Sequence, residues 1–70
     1  MPSTVIRSFD YRPRESELEV RFVSGRRYVY FEVPQEEVER LRAAGSRGRY
    51  FNLYIRDRYQ YRELERHDRG

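Results

Sequence analysis

Cysteine and lysine are both absent from this chain of 70 residues. Without cysteine there can be no disulfide and no zinc–thiolate staple, a usage compatible with a reducing cytoplasm. The single histidine, His67, has no second ligand with which to form a metal site, and no nucleophile stands in a catalytic arrangement. No apolar run is long enough to cross a membrane and no signal peptide opens the chain, so Met1-Pro2-Ser3-Thr4 reads as a cytosolic start. The lysine of a phosphate-binding Walker loop is missing as well. These absences point away from an enzyme, a metal, a cofactor and a membrane. The apolar fraction, 37%, is low and 39% of residues are charged, a balance that raises disorder as the alternative to a fold. Seven tyrosines and four phenylalanines in strand-like periodicity argue for a folded domain.

A chain of this size buries only about 60% of the surface its unfolded form exposes. Its core supplies on the order of 3–5 kcal/mol of net stability. One domain over residues 1–64 is expected, with a frayed tail from Glu65 to Gly70.

All 15 basic residues are arginine, and their distribution is uneven. From Arg40 to Arg62 there are seven arginines against the single acid Asp57, a local charge of +6. Residues 1–39 carry six arginines against eight acids, and residues 63–70 carry two against three. The basic stretch also interleaves rings, as in Arg49-Tyr50-Phe51 and Arg58-Tyr59-Gln60-Tyr61-Arg62. Codon bias alone can produce arginine in place of lysine. Whatever its origin, the planar guanidinium binds phosphate bidentately and stacks on aromatic faces.

The periodicity predicts strands first. Val5 to Tyr11 has high β-propensity and stops at Arg12-Pro13. Glu17 to Phe22 alternates strictly, and Ser24-Gly25 turns the chain into Arg27 to Val33. Gly25 suits the left-handed position that closes a three-residue loop, Val23-Ser24-Gly25, with a bulge. That register sets Tyr28 opposite Val20 and Tyr30 opposite Leu18, with both rings mainly core; one residue of slip would send them to the other face. It leaves Val29, Phe31 and Val33 on the second face among Glu19, Arg21 and Arg27, either beneath a helix or with Phe31 as an exposed contact. Glu15, Glu17 and Glu19 read as a solvated face.

Pro34 with Glu36 and Glu37 opens a helix, and Val38, Leu41 and Ala44 face the sheet until Gly45 ends it. A shorter helix starts near Gly48 with Phe51 and Ile55 inward, and with Arg49, Tyr50 and Arg56 outward or along its edge, where Tyr54 is a further candidate. Ser46-Arg47-Gly48 reads as a connector capped by Ser46, or as an anion-binding loop at a helix start. The expected fold is α+β: a three-stranded antiparallel β-meander followed by one packed helix and a second short helix.

Two separated patterns carry a family resemblance. The run Leu18-x-Val20-x-Phe22-x-x-Gly25-x-x-Tyr28-x-Tyr30-x-x-Val33-Pro34 and the run Ser46-x-Gly48-x-Tyr50-Phe51-Asn52-x-x-Ile55-Arg56-x-x-Tyr59 together resemble the KTSC domain. That family is named for the C-terminal extension of some lysyl-tRNA synthetases and also occurs as stand-alone bacterial proteins. The resemblance covers about residues 3–62 and assigns Tyr28, Tyr30, Gly48, Asn52 and Ile55 to the family pattern, in structural roles. By association with the synthetase it implies an RNA partner, tRNA or another structured RNA.

The residues themselves point the same way. Arg47, Arg49, Arg56, Arg58 and Arg62 would contact phosphates, while Tyr50 or Tyr54, with Phe31 if exposed, would stack on a base. The bland alternative is a solvated charged surface. A third reading is a protein-interaction or accessory domain that docks an acidic partner through Val29, Phe31 and the same arginines.

Overall fold

The structure, a computed structural model, describes residues 5–64, and the tail from Glu65 onward, with His67, lies outside that range, as does the start at Met1 to Thr4. Strand β1 spans Ile6–Arg12, β2 Glu17–Phe22 and β3 Arg27–Tyr30. Helices α1, Gln35–Ala43, and α2, Arg47–Tyr54, follow. A fourth strand, β4, covers Tyr61–Leu64. The sheet is antiparallel in the order β1-β2-β3-β4. The expected three-stranded meander is therefore one strand short. The stretch Tyr61-Arg62-Glu63-Leu64 carries no apolar alternation, and what makes it a strand is the vacant edge of β3. Tyr30 pairs with Tyr61 and Arg27 with Leu64.

The bulged hairpin forms as its glycine requires. Gly25 has φ +97°, donates its N–H to the Phe22 carbonyl at 2.9 Å, and lets the Phe22 N–H reach the Arg26 carbonyl at 3.0 Å. The resulting register pairs Leu18 with Tyr30 and Val20 with Tyr28. Both helices cover the face these residues share. The core joins Leu18, Val20, Phe22 and Tyr30 to Val38 and Leu41 of α1 and to Phe51 and Ile55 from α2 and its C-terminal cap. Val38 and Leu41 are one helical turn apart, as are Phe51 and Ile55, so each helix spends one narrow stripe on the sheet.

Val33 is the main correction within the chain. Continued alternation would place it on the outer face, yet it is fully buried in the core. β3 stops at Tyr30, and Glu32 takes φ 56°, a left-handed conformation that breaks the alternation and swings Val33 inward. The turn is pinned by Val33 N–H donating to the Ser16 carbonyl at 2.9 Å and by the Tyr11 hydroxyl donating to the Val33 carbonyl at 2.6 Å. Pro34 then serves as the N-cap of α1, its carbonyl accepting from Glu37 N–H at 3.0 Å. Ala44 ends that helix by turning extended.

Among the described residues, no helix lies on the outer face of the sheet; an ion-pair network does. Glu19 is 5% exposed beneath Arg12 at 3.0 Å, Arg21 at 3.5 Å and Arg27 at 3.5 Å. Arg12 also reaches Glu17 at 3.5 Å, and Arg21 reaches Asp10 at 3.0 Å. Guanidinium groups drawn onto Glu19 bring their aliphatic stems across the sheet, and Val29, the cross-strand neighbour of Glu19, is buried with it. The three glutamates thus differ from a solvated row: Glu15 lies in the turn before β2, and Glu19 is a buried hub.

Phe51 is the largest fully buried side chain and touches the rings of Phe22 at 5.4 Å and Tyr30 at 5.3 Å. Phe51→Ala should cost about 3–5 kcal/mol, comparable to the whole stability of a domain this small. Urea denaturation should find it unfolded at 25 °C or nearly so. Leu53→Ala, two residues away but 65% exposed, should stay within about 0.5 kcal/mol of the parent.

Candidate nucleic-acid interface

Ser46 starts α2 as an N-cap, its hydroxyl accepting from the Arg49 N–H at 3.3 Å. That capping fixes the direction in which each side chain of the helix leaves the core. Phe51 and Ile55 point in, and Gly48 is half-buried. Tyr50 and Tyr54 lie on the α1 side, their ring centroids 4.7 Å apart. Arg49, Asn52 and Arg56 share the opposite flank, with a side-chain amide oxygen of Asn52 accepting from Arg56 at 3.0 Å. Asn52 therefore orients a guanidinium.

Sequence-predicted arginines divide by location. Arg47 lies at the start of α2 with its guanidinium 5.6 Å from the centre of the Phe9 ring, and Arg42 from the end of α1 reaches the same ring at 5.6 Å. Arg49 is exposed beside a shallow groove that Val5, Ile6, Ser46 and Asn52 help to line. Arg58 follows α2, its backbone N–H donating to the Ile55 carbonyl at 3.1 Å. Arg62 sits on β4 opposite Val29, so it projects from the outer face, across the sheet from the helices. The helical side thus holds Arg47, Arg49, Arg56 and Arg58, and Arg62 stands apart from them.

The electrostatic division is sharper than the sequence shows. Acids of the first three strands are used close to home: Asp10, Glu17 and Glu19 by Arg12, Arg21 and Arg27. Glu63 takes Arg26 at 3.9 Å and Glu39 takes Arg42 at 3.9 Å. Among the described residues, Arg47, Arg49, Arg56, Arg58 and Arg62 form no ion pair with any carboxylate. Their positive charge is left for solvent or for a ligand.

One acid of α1 escaped sequence reasoning. Glu37, in the first turn, reads as a partner for the helix dipole, but it is 6% exposed. Its two carboxylate oxygens accept from the Tyr50 hydroxyl at 2.5 Å and the Tyr59 hydroxyl at 3.1 Å. A signal was available: Glu37 precedes Val38 on the packed stripe of the helix, while its partners lie 13 and 22 residues further on, beyond local pattern reasoning. Burial first, and then the bond to Glu37, push the titration of both hydroxyls upward. Burial likewise raises Tyr30, with Tyr61 and Tyr28 adding to the effect.

The tyrosines of the family pattern pack in the ring cluster on the inner face of the sheet. Tyr30 is 3% exposed, while Tyr28 is half-buried with its ring 5.8 Å from Phe22 and 5.5 Å from Tyr61. Only Tyr54 and Tyr61 of the seven tyrosines are exposed, at 45% and 55%. No group of three metal-ligating side chains is present among the described residues, and no helix there is long and apolar enough to cross a membrane.

With this geometry in hand, comparison with known proteins is decisive for the family. The family model for the KTSC domain matches residues 2–59. The chain belongs to the KTSC family. A lysine–tRNA ligase of Nostoc punctiforme is 36% identical over 61 residues, covering 87% of this chain. This chain spans only 11% of that ligase's length. A stand-alone relative, an uncharacterized protein of Stutzerimonas stutzeri, is 39% identical over 66 residues, 93% of each chain. The crystal structure of a KTSC domain protein from Yersinia pestis superposes with a TM-score of 0.82 at 30% identity, covering 93% of this chain and 92% of that one.

Raised tyrosine titration has a signed consequence. An unfolded tyrosine ionises near pH 10, whereas Tyr30, Tyr50 and Tyr59 hold their protons beyond that in the folded KTSC domain. Stability should therefore be constant up to about pH 10 from these groups and fall as pH climbs through their folded values. Thermal melts across the alkaline range should show this fall, and Tyr59→Phe should make it shallower. Tyr50→Phe should also cost about 1–3 kcal/mol near neutral pH, because the hydroxyl it removes bonds a buried carboxylate.

Proposed function

We propose that this KTSC domain binds RNA through the arginines on its helical side, without catalysing a reaction. The observation that carries this reading is the allocation of carboxylates. The acids of the sheet are consumed by Arg12, Arg21, Arg26 and Arg27, and Glu37 is consumed by two tyrosine hydroxyls. Arg47, Arg49, Arg56 and Arg58 are left unneutralised around one short helix that also carries the exposed Tyr54. Unpaired guanidinium groups beside a ring suit a ligand with phosphates and bases. The relatives named as lysine–tRNA ligases give the same reading independent support, since a domain joined to such an enzyme is near tRNA.

An acidic protein docking through the outer face is less well served. Val29 is buried there under the Glu19 network, which leaves half-buried Phe31 as the ring on offer.

Fluorescence anisotropy with labelled RNA over a range of salt concentrations tests the proposal. Each arginine that neutralises a phosphate on a single strand should add about −0.7 to the slope of log K against log[salt], so Arg47, Arg49, Arg56 and Arg58 together account for about −2.8 of it. Alanine at Arg47, Arg49, Arg56 or Arg58 should each flatten that slope by about 0.7, while Arg62→Ala should leave it unchanged. Absence of binding at about 50 mM salt would sink the proposal. Recovery of a stoichiometric protein partner that survives nuclease treatment would put the protein reading in its place.

A further inference from the structure

Resting on the RNA-binding reading, we infer that the surface shared by α1 and α2 is built for an unpaired nucleotide. Tyr54 stacks the base, and Arg40 and Arg42 of α1 join Arg47 on the flanking phosphates.

The ring of Tyr54 is packed against a neighbouring ring yet remains 45% exposed. Its support is Tyr50, 4.7 Å away and tilted by 41°. Tyr50 is held in turn by its hydroxyl on Glu37 at 2.5 Å, and Glu37 is fixed from its other oxygen by Tyr59 at 3.1 Å. The chain Glu37–Tyr50–Tyr54 runs from a buried carboxylate to a ring that is 45% exposed. A ring already ordered loses less freedom when a second planar group settles on it. Glu37 is thus a positioning residue, acting through Tyr50.

A protruding ring has little use on duplex RNA. In an A-form helix the bases are stacked inside and the wide minor groove offers sugar hydroxyls and phosphates, whereas unpaired bases splay onto aromatic side chains. The ring pair therefore selects for single-stranded segments, an ability that arginines alone do not have.

The surroundings are cationic on the α1 side too. Arg40 stands beside the hydroxyls of Tyr50 and Tyr59. Arg42 and Arg47 converge on Phe9, each 5.6 Å from its centre. Two like charges drawn over one ring repel each other, and a bound phosphate relieves that repulsion. The pair Arg42–Glu39, at 3.9 Å with both side chains more than half exposed, is too weak to oppose this. Glu37, the carboxylate that touches the ring pair, is buried and bonded by two hydroxyls, so it does not confront an incoming phosphate.

The test compares a short single-stranded RNA with its own blunt duplex, by anisotropy on the full chain at about 50 mM salt. The single strand should bind more tightly. Tyr54→Ala should weaken single-strand binding by about 5- to 100-fold and leave duplex binding unchanged, whereas Tyr54→Phe should retain both. Tyr50→Phe keeps the ring but cuts its tie to Glu37; with folding checked by circular dichroism, it should show a smaller loss confined to the single strand. Arg40→Ala and Arg42→Ala should each flatten the single-strand salt slope by about 0.7. Equal affinity for duplex and single strand, or equal losses on both for Tyr54→Ala, would overturn the inference and leave the arginine surface standing. Failure to bind either RNA would remove the RNA reading itself.

Discussion

The register of one hairpin governs this domain. Gly25, left-handed at φ +97°, makes the loop three residues long rather than two, and so pairs Val20 with Tyr28 and Leu18 with Tyr30. A single residue of slip would exchange the two faces of β3. Tyr30 would leave Phe51, Val29 would enter the core, and the edge offered to β4 would present the wrong side chains. The helices could then find no aromatic floor to pack on. The position of α2, and with it every arginine on the helical side, follows from the loop.

From that register comes a separation of roles between the two faces. The inner face, under the helices, is filled with rings and aliphatic groups, as a domain with so few apolar residues must do to fold at all. On the outer face, strand arginines pair with strand acids around Glu19. A buried carboxylate contacted by several guanidinium groups is costly to desolvate, and each partner offsets part of that cost. The arrangement neutralises the sheet internally and leaves the basic excess of the second half of the chain uncompensated. Charge allocation and fold are therefore one problem, solved by which residues share a strand face.

Much of this could be read in the chain itself. Strict alternation in Glu17-Leu18-Glu19-Val20-Arg21-Phe22 and the glycine after Ser24 suffice for β2, the loop and the placement of Tyr28 and Tyr30. Ser46 as a cap and the spacing of Phe51 and Ile55 suffice for α2. What escaped depends on contacts distant in sequence. β4 is a strand because β3 has a free edge, and its own residues carry no strand pattern. Val33 enters the core because Glu32, a residue with no turn preference, adopts a left-handed conformation. Glu37 is buried because two tyrosines from beyond α1 reach it, although an acid in a first helical turn has a simpler explanation nearby. Of the candidate site, the identities of the arginines were legible. Their division between the two sides of the sheet was not, since Arg62 belongs to the unforeseen strand.

Ser16 and Glu32 are both non-glycine residues at positive φ, 57° and 56°, and they bracket the β2–β3 pair from its open end. Each carries a Cβ where the backbone favours none, a burden tolerated because the Val33 bond to the Ser16 carbonyl locks the two turns together. The domain therefore has a reserve of unclaimed robustness. Glycine or asparagine at either position, a choice that would weaken most strands, relaxes a conformation the chain already adopts. A thermally hardened version could be reached without touching the core, the rings or a single arginine.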